Sequence, residues 1–285
     1  MHASPAEARF PVAPERPTPL LGGGSSVPDL SGNEIHLWLC PLPVPDDDLR
    51  RTVEALPDPA ERARAARLVF PVDRRRQIHG RGLLRLVLGN YLGRPPASLA
   101  FVANDYGKPE LCHTEGLYFN FSRCHDLALI GVTRGLPVGV DIERIRPLPD
   151  RDALIAHCLS SVERDWLASR PAQQQERDFF RLWAGKEAVL KSLGTGLATA
   201  PESVSVSLRK GAIGNATVAG AVARAGGRWT LFSACPDADH VIAAAIPALT
   251  LISRAQVRCF QVGGASLAAS GGMLRQPTKT QEGSC

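Results

Sequence analysis

Asp141 and Glu143 stand two apart in the apolar run Val138-Gly139-Val140-Asp141-Ile142-Glu143. In a strand, period 2 puts both carboxylates on one face. Two carboxylates projecting together from an apolar strand are costly unless something cationic sits between them. A hard divalent ion such as Mg²⁺ suits oxygen ligands of this kind. A solvated strand end beside Arg144 and Arg146 is the other reading of the same residues. Further along, Glu187 and Lys191 are four apart, which on a helix brings acid and ammonium onto one face. An ordinary surface ion pair has that spacing too.

Two further segments carry polar groups at turns. Asn104-Asp105-Tyr106-Gly107-Lys108-Pro109 reads as a turn bearing a lysine, and Asn120-Phe121-Ser122-Arg123 as a strand end able to hold phosphate oxygens. A plain loop and a plain strand-end turn are the alternatives. Other chemistries fail on spacing. Ala184-Gly185-Lys186 is not a P-loop, because Phe180 stands where the earlier glycine is needed. Cys112-His113 and Cys124-His125 match no common zinc spacing. Gly264-Ala265-Ser266-Leu267-Ala268 is not a nucleophile elbow.

The elements that must position these residues can be read from pattern and caps. His36–Cys40 is a strand candidate ended by Pro41. Asp58-Pro59-Ala60-Glu61 opens a helix with a capping box and Pro at its first position. A second helix runs from about Pro71 to Tyr91, with Leu83, Leu84, Val87, Leu88 and Tyr91 on its buried face, and Gly93 stops it. Strands follow at Leu117–Phe121, Leu127–Thr133 and Val138–Glu143. Ser160 and Glu163 form another capping box, and a helix over Glu176–Leu193 closes at Gly194. Strands recur at Val204–Leu208, Trp229–Ala234 and His240–Ile246. Helices followed by antiparallel strands, twice over, predict an α+β fold of two similar halves joined near Gly135-Leu136-Pro137.

Residues 1–33, rich in Pro and Gly, predict a flexible extension; 34–136 form a first half, 137–258 a second half, and 259–285 a flexible tail. The 285 residues are 44% hydrophobic and 21% charged, which excludes disorder throughout. The longest apolar run, Val241 to Ile252, is broken by Pro247 and is short of the roughly 20 residues a membrane span needs. The N-terminus lacks a basic region followed by an apolar one, and seven scattered cysteines argue for free thiols. A cytoplasmic protein is therefore expected. The net charge of +5 points to an anionic partner, and the excess is concentrated: Arg62 to Arg85 holds eight arginines against one acid, Asp73.

Taken in order, Tyr106-Gly107-Lys108-Pro109, Phe119-Asn120-Phe121-Ser122, Val138 to Glu143, Leu182-Trp183 through Lys186-Glu187 to Lys191, and Gly194-Thr195-Gly196-Leu197 resemble the 4′-phosphopantetheinyl transferases of the surfactin (Sfp) type. The resemblance covers roughly residues 36–250. It implies transfer of the phosphopantetheine arm of coenzyme A to a serine of an apo acyl or peptidyl carrier protein, releasing adenosine 3′,5′-bisphosphate. It also implies a pseudo-dimer of two α+β halves with the site between them.

By motif position, Asp141, Glu143 and Glu187 are implied Mg²⁺ ligands, Glu187 also the base for the carrier serine, and Lys191 a contact of the departing phosphate. Arg64 is implied to meet the 3′-phosphate of coenzyme A, Arg76 a second phosphate or nucleotide contact, and Lys108 the nucleotide. Asn120, Phe121, Ser122 and Arg123 match the diphosphate-binding turn. Many members carry His at the place of Arg123, and some a basic residue at the place of Glu61, so a 3′-phosphate clamp would rest more on Arg64. Acidic carriers suit a net positive transferase. Duplicated halves supply the site within one chain, so a monomer is expected, without nucleic acid or membrane as partner. Two other readings are a coenzyme A or carrier-binding module that has lost catalysis, and a nucleic-acid binder using Arg62–Arg85. The first is disfavoured by the full set of carboxylates and Lys191, and the second leaves the grouping of Asp141, Glu143 and Glu187 unexplained.

Overall fold

The structure, a computed structural model, describes residues 27–32, 34–148, 150–195, 199–208, 213–218, 227–248 and 257–262. Among the described residues, eleven strands and six helices occur in the order β1 (Ile35–Pro41), α1 (Asp47–Ala55), α2 (Pro59–Ala66), α3 (Pro71–Leu92), β2 (Phe101–Ala103), β3 (Pro109–Leu111), β4 (Leu117–Cys124), β5 (Leu127–Arg134), β6 (Gly139–Arg144), α4 (Arg151–Cys158), α5 (Ser161–Ala168), α6 (Ala172–Leu193), β7 (Val204–Ser207), β8 (Ile213–Val218), β9 (Arg228–Ala234), β10 (His240–Pro247) and β11 (Val257–Gln261). The α+β class expected from the sequence is the class observed. Among the described residues no helix is long and apolar enough to cross a membrane.

The strands form a four-stranded sheet ordered β11-β1-β5-β4, a five-stranded sheet ordered β6-β10-β9-β8-β7, and a ribbon of β2 and β3. Both large sheets are covered on two faces, and alternation along each strand shows why. Trp38 and Cys40 of β1 pack with Leu83, Leu84, Val87 and Leu88 of α3, whereas Ile35, Leu37 and Leu39 pack against Ile242, Ala244 and Ile246 of β10. In β10 the alternate residues Val241, Ala243 and Ala245 meet Phe180, Ala184 and Ala188 of α6. The layers are therefore helix, sheet, sheet, helix. Strands buried on both faces read as near-continuous apolar runs.

The caps act as the sequence predicts. Asp58 and Glu61 make both bonds of a capping box at α2, as do Ser160 and Glu163 at α5. Both 22-residue helices, α3 and α6, end on a left-handed glycine, Gly93 and Gly194. The start of α6 lies at Ala172, one turn before the expected Glu176. Helices α1 and α4, the ribbon β2–β3, and β8 were not expected.

The expected limits of the folded body, 34 and 258, are both corrected. Leu30 is buried in the α3-side core, so the ordered chain starts before residue 34. β11 runs to Gln261 and pairs in parallel with β1, Leu37 opposite Cys259 and Trp38 opposite Phe260. Phe260 stacks on Trp38 with centroids 4.8 Å apart, an apolar anchor that Gly- and Ser-rich residues beyond it conceal in the sequence. The rest of the expected extension (1–26 and 33) and tail (263–285), with Gly196 and Leu197 of the last motif, lies outside the described residues.

Candidate active site

β6 is an edge strand whose odd-numbered residues face α6, while Val138, Val140 and Ile142 face the other sheet. Gly139 makes the contact possible: a Cβ there would lie 1.9 Å from Ala188 O and 2.2 Å from Ser192 N. Only glycine lets strand and helix backbones touch at this point. From there β6 and α6 run in opposite directions and in step. Asp141 meets Lys191 and Glu143 meets Trp183. Two strand residues against eight helical residues is too short a match by itself, about 7 Å against 12 Å, and the long side chains of Lys191 and Trp183 bridge the difference. Trp183, Glu187 and Lys191 follow at intervals of four and so share the face turned to β6.

At the centre, Lys191 Nζ lies 2.5 Å from Asp141 Oδ1 and donates to Ser122 Oγ at 2.9 Å. Ser122 Oγ in turn donates to Asp141 Oδ1 at 2.9 Å. Asp141 is buried, and its second oxygen, Oδ2, has no hydrogen-bond partner. Glu143 Oε1 accepts from the indole N–H of Trp183 at 3.0 Å, and Arg146 stands 4.0 Å from its Oε2. Burial and the Asp141 charge push the Glu143 carboxyl up to about 7. The same two causes raise Glu187, with Lys191 opposing them. Asp141 is raised by burial, against the pull of Lys191 and Ser122. Two carboxylates, Glu143 and Glu187, that the Asp141 charge destabilises, beside the unpartnered buried oxygen of Asp141, are a donor set suited to a hard, oxygen-seeking cation. Among the described residues no three His, Cys, Asp or Glu side chains are gathered tightly enough to form a metal centre as they stand. Asp141, Glu143 and Glu187 fit such an ion by donor type and by the open oxygen of Asp141.

The strand expected to end at Phe121 runs on to Cys124, so all four of Asn120–Arg123 lie within β4, and the turn that the resemblance implies there comes after them, at His125 with φ 47°. Alternation therefore splits the group. Asn120 and Ser122 face the acidic centre; Asn120 Oδ1 takes the free edge N–H of Val140 at 2.8 Å and so joins the edges of the two sheets. Phe121 points the other way, onto Gly80 of α3, and Arg123 is exposed on that same side.

Arg76 is placed between two acids. Its guanidinium is 3.0 Å (Nε) and 2.5 Å (Nη2) from Asp126 Oδ1, and 3.1 Å from Asp73. Arg64 is exposed on α2. Lys108 sits in the β2–β3 turn, where Gly107 has φ +84° and Asn104 Oδ1 accepts from the Tyr106 and Lys108 amides. Its ammonium donates to the carbonyls of Lys191 at 2.7 Å and Val138 at 3.3 Å, and burial lowers its pKa to about 8. Asn104 Nδ2 reaches Gly194 O at 3.1 Å, so the ribbon is tied to the last turn of α6.

Glu61, at the place of a basic residue in some relatives, is buried and paired with Arg85 at 2.8 Å. Lys186, next to Glu187, turns away from the centre. It pairs with Glu163 at 2.7 Å and donates to the carbonyls of Pro201 and Val204. Trp183 joins the site through Glu143, and its mark in the sequence is its place four residues before Glu187.

The model of the 4′-phosphopantetheinyl transferase superfamily matches residues 137–245, which include β6 and α6. Among curated proteins, the 4′-phosphopantetheinyl transferase HetI of Nostoc sp. is 36% identical over 220 residues, 76% of this chain and 89% of that one. The 4′-phosphopantetheinyl transferase psf-1 of Bacillus pumilus is 34% identical over 58% of this chain and 71% of its own. The 4′-phosphopantetheinyl transferase Sfp of Bacillus subtilis is 27% identical over 53% of this chain and 66% of its own. With one relative matched over nearly its whole length and the family's own segment falling on the strand and helix that carry Asp141, Glu187 and Lys191, the chain belongs to the 4′-phosphopantetheinyl transferases.

Proposed function

We propose that the chain moves the 4′-phosphopantetheine arm of coenzyme A to a serine of an apo carrier protein, with Asp141, Glu143 and Glu187 holding a Mg²⁺ ion. The observation that carries this reading is the meeting of Asp141, Glu143, Lys191 and Ser122 on β6, α6 and β4, with Asp141 Oδ2 left open. The serine oxygen forms a bond to the β-phosphorus of the diphosphate, and the bond from that phosphorus to the bridging oxygen breaks. Adenosine 3′,5′-bisphosphate leaves with the electron pair. Glu187 takes the serine proton; burial and Asp141 raise its basicity, and general-base help of this kind contributes about 10²–10⁴-fold. Lys191 presents its ammonium to the departing phosphate, and Ser122 and Asn120 orient the groups around it. When bound, the ion supplies neutralisation of the diphosphate and of charge developing on the leaving group.

Arg64 is the proposed 3′-phosphate contact, and Arg76, Lys108, Phe121 and Arg123 the further nucleotide and phosphate contacts. The repeated order of one strand, three helices and four strands, from β1 to β5 and again from β6 to β10, supports a pseudo-dimer with the site between its halves. In both halves the first strand pairs with the last, β1 with β5 and β6 with β10. The partners are acidic apo carriers, the working form is a monomer, and the six described cysteines, all free, suit the cytoplasm.

The test is the intact mass of an apo carrier incubated with the protein, coenzyme A and Mg²⁺. A gain of about 340 Da, the mass of the arm, that EDTA prevents is the expected result. No gain on acyl or peptidyl carriers, with coenzyme A still bound, would favour the binding module.

A further inference from the structure

Between α2 and α3 the chain turns through Leu68, Val69 and Phe70 with its apolar side chains outward. Val69 is 76% exposed, Phe70 64% and Val72 41%. The backbone beneath them is pinned. Arg74 donates from Nε to Leu68 O at 2.6 Å and from Nη2 to Val69 O at 3.2 Å, and the Asp73 and Arg74 amides both reach Phe70 O at 3.1 Å. A pinned elbow has already lost the conformational freedom that docking would otherwise cost. Arg67 and Arg75 flank it, both exposed, and among the described residues their guanidinium groups make no hydrogen bond or ion pair.

The elbow is also linked to a strand of the site. Six residues on from Phe70, about 9 Å along a helix axis, Arg76 grips Asp126 at the β4–β5 turn. That turn follows β4, the strand whose Ser122 bonds Asp141. An aromatic and two valines in water, ringed by unpaired arginines, are complementary to an acidic protein surface with an apolar ridge. A nucleic acid would engage the arginines and leave the apolar side chains in water.

We propose that this elbow is a docking edge for the carrier protein, its apolar ridge on Val69, Phe70 and Val72 and its carboxylates against Arg67 and Arg75. The proposal rests on the transferase reading. It is tested in the full chain with Phe70→Ser and with the double reversal Arg67→Glu/Arg75→Glu. An apo acyl carrier protein and a discrete apo peptidyl carrier domain serve as probes, and the one that wild type modifies is used for kinetics. Both variants should raise the KM for carrier by about tenfold or more, the scale of a lost interface anchor. The KM for coenzyme A and the melting midpoint should stay within about twofold and about 2 °C of wild type, as expected of exposed substitutions. The charge reversal should also flatten the salt dependence of carrier kcat/KM.

An unchanged carrier KM overturns the docking edge and leaves the transferase standing. A parallel rise in the KM for coenzyme A overturns it as well, assigning the elbow to the nucleotide. If wild type modifies neither carrier, the transferase reading fails, and anisotropy titration of each labelled carrier tests the elbow alone. Equal binding by wild type and Phe70→Ser, or none by either, then overturns it.

Discussion

Lys191 and Asp141, fifty residues apart in sequence, form a buried-to-half-buried ion pair at 2.5 Å, with Ser122 Oγ bonded to both. Removing the ammonium leaves Asp141 in a buried place with nothing to balance its charge. Lys191→Met should cost about 1–3 kcal/mol of stability near neutral pH, the scale of an unsatisfied buried group. Transfer should fall by about 10²-fold or more, the scale set by loss of one preorganised charge at a reacting centre. Differential scanning calorimetry and turnover check the two parts separately.

Glu143 predicts a pH dependence of the metal-free fold. Its folded pKa is raised from 4.5 to about 7. Between those values the folded state keeps a proton that the unfolded chain releases, so stability falls as pH rises through the window and is level outside it. The loss is at most about 3.5 kcal/mol, at about 1.4 per pKa unit. In EDTA the melting midpoint should drop by several degrees from pH 4.5 to 7.5, and Glu143→Gln should remove most of that drop.

Trp183 holds Glu143 Oε1 through its indole N–H. Trp183→Phe keeps the ring and loses the donor. The expected result is a three- to tenfold weaker binding of Mn²⁺, read from the free-ion resonance signal, for a hydrogen bond worth about 0.5–1.5 kcal/mol. An unchanged affinity would free Glu143 from any need of this contact.

Asp126 competes with any phosphate for Arg76. Asp126→Asn removes that competitor, so coenzyme A should bind about two- to fivefold more tightly, in line with an exposed ion pair worth under about 1 kcal/mol. Isothermal titration with coenzyme A in EDTA reads this without turnover. An unchanged affinity would place Arg76 outside the phosphate contacts.

The acidic centre was legible because its spacings are short and local. Asp141 and Glu143 two apart, and Glu187 and Lys191 four apart, each define one face of one element. The helix caps at Asp58, Ser160, Gly93 and Gly194 were legible for the same reason. What escaped depends on partners distant in the chain. Ser122 and Arg123 carry no local mark that they continue β4 past Phe121, and only pairing with β5 decides this. Asp126 lies fifty residues from Arg76, so the occupation of that guanidinium could not be read. The short helix α1 was marked by Leu49 and Val53, four apart and both buried, behind the cap Asp46, but seven polar or charged residues in and before it mask the pattern.

β11 carries a consequence for how the chain reaches this state. It lies beside β1 although more than two hundred residues separate them, with the whole β6–β10 sheet and α6 between. During synthesis the β1 edge stays unpaired until the last described strand emerges, when Trp38 finally gains Phe260 as its stacking partner. The first sheet is thus completed last, and the chain cannot be cut at Gly135-Leu136-Pro137 into two self-sufficient pieces. A nascent chain stalled before residue 257 would expose an open strand edge, the feature that invites pairing with other chains.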